Sequence, residues 1–172
     1  MKKLQHIRPA AAAFLLMVSM ALTTTALSFF VAPVCEALDI GRGSFTIYYS
    51  LMTASGAVST AFLGQYINKH GVRNILLISG FWVGGGLLLF SVSTKLWMFY
   101  LAAAAMGLFG TSCVNLSANV IVQTAYSGEQ ASGLLGIVMA GSGVGGMIVS
   151  MFLPGLIASM GWQFGYRLLA AL

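Results

Sequence analysis

The chain reads as long apolar runs broken by short polar interruptions. Charged residues occur at Lys2, Lys3 and Arg8, at Glu36, Asp39 and Arg42, at Lys69 and Arg73, and then singly at Lys95, Glu129 and Arg167. The gaps between these groups are long enough to cross about 30 Å of hydrocarbon as helix. The pattern predicts spans at residues 10–34, 44–67, 74–93, 97–126 and 132–160. A sixth starts at about residue 164 and reaches Leu172 after only about 13 Å of rise, so it reads as truncated. Helices are the assignment because the runs at 75–78 and 87–90 are apolar on every side. Barrel strands would alternate over about ten residues, and backbone in lipid must be bonded internally.

Composition sharpens this to an all-α integral membrane protein. Only 6% of the 172 residues are charged and 59% are hydrophobic, against about 25% charged in soluble domains. Disorder needs the opposite balance. The 21 glycines follow no three-residue period, which excludes a collagen-like chain. The net charge of +5 is read against the membrane before nucleic acid. One side collects Lys2, Lys3, Arg8, Lys69 and Arg73, and the other Arg42 and Lys95, with Arg167 just inside the sixth span. The richer side is expected to be cytoplasmic, with the N-terminus in; the expected location is the plasma (cell) membrane. Trp97 and Trp162 then fall at outer span ends. Lys2-Lys3 and the small residues Ala26-Leu27-Ser28 also fit a cleaved secretory signal. The uncharged stretch from Pro9 to Cys35 is far longer than an h-region of about 7–15 residues, which favours an uncleaved first span. Cys35 and Cys113 show no CxxC spacing and read as small apolar fillers.

The segment from Gly64 to Arg73 ends one helix and starts the next. Gly71 suits a tight turn, since a positive backbone angle is free only for Gly. Gly56, Thr60 and Gly64 form a small-residue ridge at four-residue spacing, a pattern of helix packing in lipid. The spacing Gly64, Asn68, Gly71, Arg73 resembles the signature of the major facilitator superfamily, Gly-x-x-x-Asp-x-x-Gly-x-Arg/Lys, at the same place between spans two and three. The resemblance implies a cytoplasmic gate in which the Asp pairs with basic residues and a helix end of the other half. Asn68 stands where that Asp is usual, so the gate would be weaker or depend on another acid. Gly136, Gly141, Gly143, Gly145 and Gly146, followed by Pro154, are similar to the Gly-rich fifth span of the family's antiporter-type members. Gly141, Gly145 and Gly146 are expected to be packing glycines. A dinucleotide loop is excluded at 141–146, for want of a preceding strand and a nearby acid. Gly161-Trp162-Gln163-Phe164 resembles the family's start to span six, with Gln163 where Arg is usual. Gly107-x-x-Gly110 with Asn115, and residues 132–136, are loosely similar to the oxalate/formate and monocarboxylate branch, although residues 126–130 offer no base. The resemblance covers the whole chain as the first half of a twelve-span carrier. It implies the lipid bilayer, a small-molecule solute and a C-terminal six-span half as partners, with no nucleic acid and no cofactor.

No charged residue sits mid-span in the first five spans. A proton relay needs Asp, Glu or His inside the membrane, so this half suits a uniporter or takes its coupling groups from elsewhere. Thr111, Asn115, Asn119 and Gln123 follow at four-residue steps, a slowly rotating face about 18 Å long. They are expected to line a water-filled path for a polar or anionic solute; inter-helix hydrogen bonds are the plainer reading. Thr24 and Ser28 share a face of span one and join the same list, although such hydroxyls also bond their own backbone. Pro33 is a site for a kink. Tyr48 and Tyr49 open span two, where an aromatic belt at the membrane surface is expected in preference to a lining of the outer mouth. A secondary transporter working by alternating access is the reading favoured. A membrane-embedded enzyme would need a buried cluster of catalytic groups, and the few acids and histidines are scattered. A non-transport assembly or channel subunit built on the Gly ridges is the alternative.

Overall fold

The computed structural model describes residues 2–171, with side chains described for residues 8–67, 69 and 71–171. Every element among them is helical: α1 (Lys2–Leu38), α2 (Arg42–His70), α3 (Val72–Val92), α4 (Leu96–Met106), a π-helical turn (Gly107–Thr111), α5 (Ser112–Ala125), α6 (Glu129–Met160) and α7 (Trp162–Ala171). Four stretches are long and apolar enough to cross a membrane: Arg8–Leu38, Val72–Val92, Leu96–Ala125 and Glu129–Met160. The chain is therefore an integral, multi-pass membrane protein.

α2 has 29 residues, length enough for a crossing, but it is more polar than these four. Its hydroxyls are largely satisfied within the helix, which lowers the cost of placing them in lipid. Thr46 donates to the Arg42 carbonyl at 2.6 Å, Thr53 to Tyr49 at 2.9 Å and Thr60 to Gly56 at 2.8 Å. α1 runs on through Pro33 as one helix. α7 has ten residues, about 15 Å of rise.

Two single-glycine joints reverse the chain. Gly71 (φ 78°) and Gly161 (φ 84°) each donate a backbone N–H back to the helix they end, to Ile67 and Ile157, both at 2.9 Å. These left-handed angles are free only to Gly.

An aromatic cluster ties α1, α2, α3, α4 and α7 together. Phe30 stacks on Tyr166 with centroids 3.8 Å apart, and Phe45 meets Phe99 edge-on at 5.1 Å. Tyr48 is 1% exposed and belongs to this core. Its hydroxyl donates to the Leu27 carbonyl at 3.2 Å, so the surface belt expected for it is corrected. The phenol is held inside because α1 supplies the acceptor that a buried hydroxyl needs. α6 packs along α1 at Gly141 and Gly145. A Cβ at Gly141 would lie 2.9 Å from the Phe14 carbonyl oxygen, and one at Gly145 would lie 2.9 Å from Ala21 Cβ and collide with the Val18 carbonyl. Gly64 differs, with nothing within 4 Å of its Cβ position, so no described neighbour uses the close approach expected there.

Candidate functional site

The polar residues of α1 converge with those of α2, α5 and α6 on one concave face. Three cavities of about 330, 190 and 500 Å³ adjoin there, and Thr24 lines all of them. Ser28 and Tyr49 line the first; Tyr49, Thr53, Thr111, Ser112 and Asn115 the second; Asn115, Met139, Ser142 and Gly146 the third.

Local chemistry sets what these groups offer. Thr24 donates to the Met20 carbonyl at 3.0 Å, Ser28 to Thr25 at 2.6 Å and Ser142 to Met139 at 2.7 Å. Their protons are engaged within their own helices, and their oxygen lone pairs are left to accept. Asn115, Thr25, Tyr49, Thr111 and Ser112 have no side-chain hydrogen bond among the described residues. The face therefore combines fixed acceptors with a free amide and free hydroxyls, beside the adaptable side chains of Met20, Met52 and Met139. None of the residues lining the three cavities is charged.

The four-residue stripe divides. Thr111 and Asn115 line the cavities, whereas Asn119 and Gln123 do not. Steps of four overshoot a 3.6-residue turn by about 40° each, so the stripe turns off the concave face within three steps. The Asn119 amide donates to the Asn115 carbonyl at 3.0 Å, and Gln123 is exposed. Thr53, Ser112 and Ser142 are not singled out by the sequence, and Tyr49, expected in the aromatic belt, lines two of the cavities. The four-residue spacing of Tyr49 and Thr53 was a usable signal; the setting of Ser112 depends on the π-turn.

That turn is the other unforeseen feature, since residues 97–126 read as one continuous span. A π-turn frees backbone groups and recurs at functional sites. Here Ser59 of α2, 8% exposed, donates its hydroxyl to the Leu108 carbonyl within the turn. Glycines let the neighbours close in: a Cβ at Gly107 would strike Met52 and Ser55, and one at Gly110 would lie 2.6 Å from Val83 Cγ2. Thr111 and Ser112 leave the turn directly into the cavity wall.

In the α2–α3 joint, Gly71 makes the turn and Arg73 and Lys69 are exposed. The side chains of Asn68 and His70 lie outside the described residues. Gly146 meets α1 in ordinary contact, its Cβ position 3.5 Å from Thr25 Oγ1. The described residues contain no cluster of His, Cys, Asp or Glu able to hold a metal ion.

A helical membrane bundle with an uncharged polar hollow on one face is the build expected of one side of a solute carrier. The sequence model of the Major Facilitator Superfamily matches residues 12–172, and the chain belongs to that family. It is 26% identical over 132 residues to "Multidrug resistance protein MdtG" of Serratia proteamaculans (strain 568), covering 77% of this chain and 30% of that protein. It is 26% identical over 111 residues to "Monocarboxylate transporter 9" of Rattus norvegicus, covering 64% of this chain and 22% of that protein. The chain thus spans less than a third of the curated relatives it matches. By their names the relatives are transport and drug-resistance proteins, not enzymes. No solved structure matches it significantly.

Proposed function

We propose that the chain is the N-terminal bundle of a secondary transporter that moves a small polar or anionic solute by alternating access. The observation that carries this reading is the convergence of three cavities on Thr24, with Asn115 facing two of them. A solute there is bonded by uncharged groups, and a second six-span half closes the concave face. α2 spans the membrane with the four apolar stretches, its Tyr49 and Thr53 turned toward the solute path. The N-terminus and the α2–α3 joint are cytoplasmic, in keeping with Arg8, Lys69 and Arg73 on one side, and the membrane is the plasma membrane. Gly64, Asn68, Gly71 and Arg73 form the cytoplasmic gate.

The alternative, a non-transport assembly or channel subunit built on glycine ridges, has less support. Gly141 and Gly145 are already engaged with α1 inside the chain.

The test is uptake of radiolabelled lactate, formate and oxalate into proteoliposomes. The 172-residue chain alone is expected to be inactive, and the chain joined to a family C-terminal half active. Carrier-rate uptake by the chain alone would overturn the two-half reading. An active joined protein that is indifferent to Asn115→Ala and Thr24→Val would overturn the assigned path.

A further inference from the structure

A second hollow lies on the other side of α2. It is a groove of about 510 Å³ between α2, α3 and the π-turn, lined by Val58, Phe62, Tyr66, Ile75, Trp82 and Phe109. Val58, Phe62 and Tyr66 follow at four-residue steps, a ridge about 12 Å long that runs toward the α2–α3 joint. Trp82 stacks on Phe109 with centroids 4.9 Å apart and planes 28° from parallel, giving the groove an aromatic wall. Although α2 and α3 are joined by one residue, each packs mainly on other helices, and the groove is the space left between them. At about 100° per residue, its ridge lies on roughly the opposite side of α2 from Tyr49 and Thr53. A protein bundle docked over the cavity face leaves it open to the bilayer.

The groove ends in positive charge. Lys69 lies three residues beyond Tyr66, on the same side of α2, and is exposed; Arg73, also exposed, lies in the first turn of α3, about 200° around that helix from Ile75. Among the described residues neither forms an ion pair; the ion pair present, Glu36 with Arg42 at 3.7 Å, is at the far end of α2. An apolar trough ending at an unneutralised cation matches an amphiphile with a hydrocarbon tail and an anionic head. We propose that this groove is a binding site for an anionic phospholipid, with an acyl chain between α2 and α3 and the phosphate at Lys69. The proposal is independent of the solute carried and of transport itself.

Trp82 supplies the readout. The full chain carrying Trp97→Phe and Trp162→Phe, so that Trp82 is its one tryptophan, is placed in phosphatidylcholine nanodiscs. A minor fraction of the lipid is then replaced by phosphatidylglycerol or phosphatidylcholine with brominated acyl chains. Brominated phosphatidylglycerol is expected to quench Trp82 with about fivefold higher apparent affinity, the scale set by one surface cation. The preference is expected to vanish in Lys69→Gln. Equal quenching by the two lipids overturns the proposal, as does a preference that survives the substitution. Absence of quenching by either lipid overturns it too, since a second protein surface then covers the groove. If the tryptophan substitutions prevent folding, native mass spectrometry of the unsubstituted chain decides the matter. Retention of phosphatidylglycerol over phosphatidylcholine, lost in Lys69→Gln, supports the site; equal retention or unchanged preference rejects it.

Discussion

The Ser59 hydroxyl of α2 is bonded to the Leu108 carbonyl, a contact across 49 residues that seats a π-turn against its neighbour. The acceptor is a backbone carbonyl within the π-turn, in surroundings where water is scarce. Ser59→Ala removes the donor, at an expected cost of about 0.5–1.5 kcal/mol. Thermal unfolding in detergent checks this, with Ser59→Thr expected to retain most of the stability. An unchanged midpoint in Ser59→Ala would show that the bond contributes nothing.

The glycines of α6 are expected to separate into two classes. Gly145→Leu drives a side chain into the Val18 carbonyl and Ala21, at a cost of about 2 kcal/mol or more through overpacking. Gly143→Ala meets nothing within 4 Å and gains about 0.5–1 kcal/mol of helix preference. Paired melting curves test the contrast, and equal effects would contradict the packing of α6 on α1.

A similar contrast applies at the α2–α3 joint. Gly71 sits at φ 78°, ψ 158°, a region essentially confined to Gly, where an L side chain costs about 1–3 kcal/mol. Gly64 is helical and has open space beside it. Gly71→Ala should lower the unfolding midpoint, and Gly64→Ala should hold or raise it. The reverse order would mean that the joint is not built as described.

Along α5 the proposed path predicts unequal losses of transport. Asn115→Ala should reduce uptake by the two-half protein by about tenfold, the cost of roughly one hydrogen bond of 1.4 kcal/mol. Asn119→Ala and Gln123→Ala should leave uptake within about twofold. Equal losses at Asn115 and Gln123 would restore the undivided stripe and reject the face centred on Thr24.

Much of the fold was legible from the sequence because it depends on local properties. Apolar run length located α1, α3 and α6, and the charges and glycines between runs located their ends. Gly71 stands where the chain must reverse, and the spacing around it carried the family resemblance. Asn115 stands out in the sequence because polar groups in lipid need a reason to be there.

What escaped the sequence depends on rotation about helix axes and on distant partners. Asn119 and Gln123 share the spacing of Asn115, but accumulated rotation takes them off the wall. Tyr48 reads as a surface tyrosine until the Leu27 carbonyl, 21 residues earlier, accepts its hydroxyl inside the core. The π-turn depends on α2 supplying Ser59 and on Gly107 and Gly110 admitting close neighbours. The sequence alone determined the membrane class, the helical elements and the turn positions, because hydropathy, charge and glycine conformations act over a few residues. Only the tertiary structure decided that Thr24, Tyr49, Asn115 and Ser142 share one hollow, because the azimuth of each helix is set by the packing of all the others.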